Sequence, residues 1–127
     1  MTERSELAFD SYMKAFETLD PEMALPFYHL PSMFIAPQGV FPVPDTNTAR
    51  ALLSQFMGQL RSQSYRRTEV VDLTVRTLSP DLASCAGTFV RFNASGEEIA
   101  RAGFTYIMRN AGSWKIVVAT LHDPIGR

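Results

Sequence analysis

A chain of 127 residues, 46% hydrophobic and 20% charged, has the size and make-up of one soluble globular domain with a sizeable core. Twelve basic against thirteen acidic residues leave a net charge of −1, which gives no electrostatic basis for binding nucleic acid or an anionic membrane. The lone cysteine, Cys85, excludes an internal disulfide, and no apolar run approaches a membrane span.

The segment Met1 to Glu6 carries acidic residues and no apolar stretch of the signal-peptide kind, so the expected location is reducing and cytoplasmic. Ser5 to Leu19 predicts the first helix. At about 100° per residue, Ala8, Phe9, Tyr12, Met13, Ala15, Phe16 and Leu19 share one arc, opposite Asp10, Ser11, Lys14, Glu17 and Thr18. Tyr12 sits near the middle of the apolar arc, so ring burial carries its hydroxyl inward, where a phenol needs a partner or a cavity. Asp20 can cap a second, short helix, Glu22 to Tyr28, with Pro21 in its first turn.

Six of the eight prolines fall between Pro21 and Pro44. Ser32 to Ala36 and Val40 to Val43 read as short strands around a Pro37-Gln38-Gly39 turn. Phe34, Ile35, Val40, Phe41 and Val43 are too apolar for a solvated tether, so the segment reads as a rim or lid. Asp45, Thr46 or Asn47 then caps a helix from Thr48 to Gln63, whose apolar face is Ala49, Leu52, Leu53, Phe56, Met57 and Leu60.

After Tyr65 the period becomes two. Glu69 to Leu78 alternates, with Val71, Leu73 and Val75 on one side and Asp72, Thr74 and Arg76 on the other. Strands Leu82–Asn93, Ile99–Arg109 and Trp114–His122 follow, separated by turn signals at Asn93–Gly96 and Asn110–Ser113. One α+β domain over residues 1–127 is expected, a cone whose curved sheet wraps three N-terminal helices around an internal cavity.

This order of elements resembles the nuclear transport factor 2-like superfamily, which includes ketosteroid isomerases and SnoaL-like cyclases. The most specific stretches are Tyr12 to Asp20 with the corner Ala24 to Tyr28, the Pro37-Gln38-Gly39 turn, and Gly112 to Ile116 before the last strand. The resemblance implies that Tyr12 stands at the isomerases' oxyanion-hole tyrosine, Ala36 at their carboxylate base, and Thr105, counted from Gly96, at their protonated aspartate. An isomerase needs the base to move its proton, so classical isomerase activity is not expected. The same comparison implies an inward face of Ala86, Thr88, Val90 and Phe92 on one strand and Arg101, Gly103, Thr105 and Ile107 on the next.

The expected pocket is then lined by Tyr12, Phe16, Phe56, Leu60, Val90, Phe92, Arg101 and Thr105. Arg101 can hold an anionic ligand or pair near the hairpin with Glu97, Glu98 or Asp45. Candidate acid–base groups are Tyr12, His29, His122, Asp45 and Asp123. Two histidines distant from the aspartates make no metal-ligand pattern, and phosphate loops and dinucleotide fingerprints are missing, so neither metal nor cofactor is expected. Phe89, Phe104, Tyr106 and Met108, opposite the implied inward phase, form an expected outer apolar patch and a homodimer interface. The expected function is binding of a small hydrophobic molecule without an evident acid–base pair. A SnoaL-like cyclase, isomerase or dehydratase acting on a polyketide-like substrate, and a protein-interaction subunit, are the alternatives.

Overall fold

The structure, a computed structural model, describes residues 4–123. Helix α1 (Arg4–Glu17) buries Phe9, Tyr12, Ala15 and Phe16 on its apolar arc. It stops short of Leu19, which takes a left-handed φ of 57°. Arg61 fixes that exit by donating from Nη2 to the Leu19 carbonyl at 2.6 Å. Asp20 caps α2 (Pro21–Ala24), accepting from the Glu22 amide at 3.0 Å. The predicted helix to Tyr28 is shorter than expected, because Pro26 has no amide to donate and the chain tightens into a 3-10 turn over Leu25–Phe27.

Tyr28 therefore opens a strand, β1 (Tyr28–Ala36), which turns back as β2 (Gly39–Val43). Helix α3 (Thr46–Ser62) follows, capped by Asp45, whose side chain accepts from the Thr48 amide at 2.8 Å. Strands β3 (Tyr65–Ser79), β4 (Leu82–Asn93), β5 (Glu98–Asn110) and β6 (Trp114–His122) complete one sheet in the order β2-β1-β6-β5-β4-β3. All pairs are antiparallel except β1 with β6, so the sheet is mixed. Its curved inner face packs on the helices, the α+β cone expected from the pattern.

The core is built on a stack of rings. Phe9 of α1 stacks on Phe104 of β5 at 5.4 Å, and Phe104 on Phe89 of β4 at 4.0 Å. Tyr106 meets Phe104 edge-on at 5.4 Å. Gly87 lies directly opposite Phe104 across β4 and β5, and its bare backbone makes room for that ring. A Cβ there would stand 3.1 Å from the ring and 2.9 Å from the Val71 carbonyl.

These positions reverse the expected strand phase. Phe89, Phe104, Tyr106 and Met108 are at most 5% exposed and face the helices, while Val90, Phe92, Arg101 and Thr105 lie on the outer face. The expected match between the strands holds, with Val90 opposite Arg101, Thr88 opposite Gly103 and Ala86 opposite Thr105, past a bulge where Arg91 pairs with Ala100 but Phe92 with Glu98 and Ile99 is an extra residue. Both strands are therefore turned over together: burial of the large rings of Phe89, Phe104 and Tyr106 against the helices decides which face is the inner one. A second irregularity, where Asp72 adopts a φ of 56°, puts Val71 opposite Thr88 on the outside while Leu73 and Val75 pack inward. The four large residues of the expected homodimer patch are spent inside one chain, so they cannot form the interface assigned to them.

Candidate functional site

Beyond the ring stack, α1, α3, β1 and the middle of the sheet enclose a cavity of about 90 Å3, open on one side. Tyr12, Met13 and Phe16 contribute from α1, Leu52, Leu53 and Phe56 from α3, and Tyr28, Ser32, Met33 and Phe34 from β1. Phe89 and Arg91 of β4, Tyr106 of β5, and Ala119 and Leu121 of β6 close it on the sheet side. Helical spacing brings Tyr12 and Phe16 onto one wall, and two-residue spacing brings Phe89 and Arg91 onto the other.

Three phenols gather here. The Tyr12 and Tyr28 hydroxyls share a short hydrogen bond, with their rings perpendicular at 5.4 Å, and the Tyr106 ring lies 6.3 Å from that of Tyr12. Burial pushes the pKa of all three above the usual phenol value, and charge repulsion from a neighbouring phenol adds to it, while Arg91 and, at Tyr12 and Tyr28, one phenol hydrogen bond pull the other way. They are protonated at neutral pH and act as hydrogen-bond donors, not as bases.

Arg91 is the charged group of the cavity and is 6% exposed. Its Nη1 donates to Thr68 Oγ1 at 3.0 Å. The guanidinium carbon stands 5.1 Å from the Phe89 ring, 5.2 Å from Phe16 and 5.4 Å from Phe56, within cation–π range of each.

Of the residues singled out in the sequence, Tyr12, Phe16 and Phe56 line the cavity. Leu60 is buried in the core below it but does not reach the wall. Val90, Phe92, Arg101 and Thr105 are on the outer face, and Arg101 pairs with Glu98 at 2.8 Å instead of awaiting a ligand. His122 is also outside: its Nδ1–H donates to the Asp123 carbonyl at 2.7 Å, and its Nε2 accepts from Thr105 Oγ1 at 3.0 Å. His29 donates from Nδ1 to the Pro31 carbonyl at 3.0 Å and accepts from Arg109 at 3.1 Å. Asp45 is occupied as a helix cap, and Asp123 is exposed. None of these four faces the cavity; no His, Asp or Glu lines it among the described residues.

Cys85 is enclosed by the core, where burial raises its thiol to about 11 with smaller contributions from Glu6 and Asp10, so it is an inert packing group. The residues that sequence reasoning missed are Tyr28, Tyr106 and Arg91. Assigning strand phase by side-chain volume would have turned Phe89, Phe104 and Tyr106 inward, and Arg91 with them.

Residues 3–124 match a protein family described as NTF2-like protein (DUF6841). The chain belongs to this NTF2-like family. Solved structures agree on the fold. One is an NTF2-like protein with a cystatin-like fold from Novosphingobium aromaticivorans, with a TM-score of 0.77, 15% identity, and 98% of this chain and 82% of that one covered. A putative calcium/calmodulin-dependent protein kinase II association domain from Xanthomonas campestris gives 0.73 at 19% identity, covering 100% and 91%. A putative scytalone dehydratase from Novosphingobium aromaticivorans gives 0.72 at 14% identity, covering 98% and 92%. No curated protein sequence matches this NTF2-like chain. None of its described helices is long and apolar enough to cross a membrane.

Proposed function

We propose that this NTF2-like protein binds a small, largely apolar molecule in the cavity between α1, α3 and the sheet, and does so without acid–base catalysis. The observation that carries the reading is the cavity's lining: apolar walls, protonated phenols, and no carboxylate or imidazole among the described residues. Pockets of this make-up recognise ligands by burial, with a few polar groups fixing orientation. At about 90 Å3 it is smaller than the roughly 150 Å3 engineered cavity that holds benzene, so it limits a ligand to a short branched chain or a single ring that reaches through the open side.

A second reading is a dehydratase- or cyclase-type enzyme, of the kind named for one of the structural neighbours. The Tyr12–Tyr28 hydroxyl pair favours it, because paired phenols can polarise a carbonyl oxygen. Among the described residues the cavity wall has no group that would take up the proton.

Thermal-shift measurements with toluene, indole and benzyl alcohol test the binding reading. Stabilisation by at least one probe is expected, abolished in Ala119→Met, where the longer side chain occupies the cavity. Tyr12→Phe should weaken the response to benzyl alcohol more than that to toluene. No shift with any probe, or equal shifts in wild type and Ala119→Met, would refute it.

A further inference from the structure

Arg91 is the feature that an apolar pocket does not account for. A guanidinium carries five N–H donors, and at 6% exposure Arg91 has only two hydroxyls to meet them among the described residues, Thr68 at 3.0 Å and the neighbouring Tyr65. No carboxylate among them lies within 4.0 Å of it. Glu17 reaches the same corner but is engaged by the Thr68 amide at 2.8 Å. Aromatic faces offset part of the cost of burying the charge, yet they satisfy none of its remaining N–H groups. An unpartnered polar atom, Ser32 Oγ, is buried on the β1 side of the same cavity.

We propose that the natural ligand is a monoanionic carboxylate, an aryl or short branched alkyl acid whose carboxylate sits against Arg91 and whose body fills the apolar space beside Phe16, Phe34 and Phe56. The inference rests on the reading of the cavity as a ligand site. The planar fork of arginine matches two carboxylate oxygens. One buried cation, the single basic group on the wall among the described residues, neutralises one negative charge. A phosphate monoester would bring close to two and leave the excess in a low-dielectric pocket.

Matched acids and amides separate the anion from the pocket. Benzoate with benzamide, phenylacetate with phenylacetamide and isovalerate with isovaleramide are titrated calorimetrically into the folded chain at neutral pH and fixed salt, with phenyl phosphate and toluene alongside. At least one acid should bind tenfold or more tightly than its amide, equivalent to about 1.4 kcal/mol. In Arg91→Met that preference should vanish while toluene binding persists, and Arg91→Lys should keep part of it.

Amides binding as tightly as their acids, or toluene binding with no acid bound, would overturn the carboxylate and leave the ligand site standing. A preference that survives Arg91→Met, or phenyl phosphate binding above benzoate, would also overturn it. Failure of every probe would remove both readings. If Arg91→Met does not fold, the wild-type pairs decide alone.

Discussion

Replacing Phe104 by alanine distinguishes the two possible faces of strand β5. Its ring is fully buried between Phe9 and Phe89, with Tyr106 against its edge, and the bare backbone of Gly87 lies opposite. Truncation removes the transfer energy of the ring and opens a void that neighbouring backbone cannot close, which together cost about 3–5 kcal/mol for Phe→Ala. Each lost aromatic pair accounts for about 0.5–1.5 kcal/mol of that total. Ile107, three residues on and half-buried on the outer face, provides the control, with an expected cost for Ile107→Ala of about 1 kcal/mol.

Urea unfolding of both variants measures the difference directly, because the midpoint should move with an unchanged slope. By heat, Phe104→Ala should lower Tm by on the order of 10–20 °C. A loss below about 1 kcal/mol for Phe104→Ala, or equal losses for the two substitutions, would mean that the large side chains face outward and would refute the packing described here.

Other consequences are as direct. All four tyrosines have pKa values raised above 10, with burial the first cause in each. Their protonated forms are favoured by folding, so that stability is complete below pH 10 and drains away as pH rises beyond it; phenolate absorbance should appear together with unfolding, not before it. Asp45, held below its ordinary 3.8 by the Thr48 amide, works in the opposite sense: its contribution is present at neutral pH and is lost as pH falls through and below the usual carboxylate value. The difference in Tm between wild type and Asp45→Asn should therefore narrow on acidification from pH 6 to about pH 3. Gly103→Ala should cost about 1–3 kcal/mol in chemical denaturation, because its Cβ would stand 2.6 Å from the Asp123 carbonyl oxygen and 2.7 Å from the His122 ring.

The helices and strands were legible because each declares itself locally. Asp20 and Asp45 are caps in sequence and in space, and the limits of β4 and β6 are those expected from the turns. The inner faces were not legible by counting, because alternation matches the faces of β4 and β5 without saying which one meets the helices, and the irregularity at Asp72 of β3 depends on the partner strand and leaves no local mark. Side-chain size carries the missing information: one phase of β4 and β5 holds Phe89, Phe104, Tyr106 and Met108, while the other holds Ala86, Thr88, Gly103 and Thr105 between Val90, Phe92 and Ile107. Tyr12 and Phe16 reached the cavity by helical spacing alone. Tyr28 was hidden by the predicted helix that Pro26 cuts short, and Arg91 by the inverted phase.

The polar groups of the cavity, counted by donors and acceptors, give an independent route to what it holds. Tyr12 bonds Tyr28 through the hydroxyls, and Tyr106 stands beside Tyr12 with its hydroxyl within reach of it. Three phenols carry three protons but meet at two contacts, so whichever way those bonds run, one O–H is left over for something outside the trio. Arg91 adds N–H donors and can accept nothing. Together the phenol trio and Arg91 have more protons to give than the described protein groups around them take up. A ligand that supplies only donors, such as an amine, would leave that excess unsatisfied and add a second buried cation. A purely hydrocarbon ligand would leave it unsatisfied as well. A ligand with an apolar body and acceptor oxygens at one end satisfies it, and among such ligands the one that also balances the charge of Arg91 is a carboxylate.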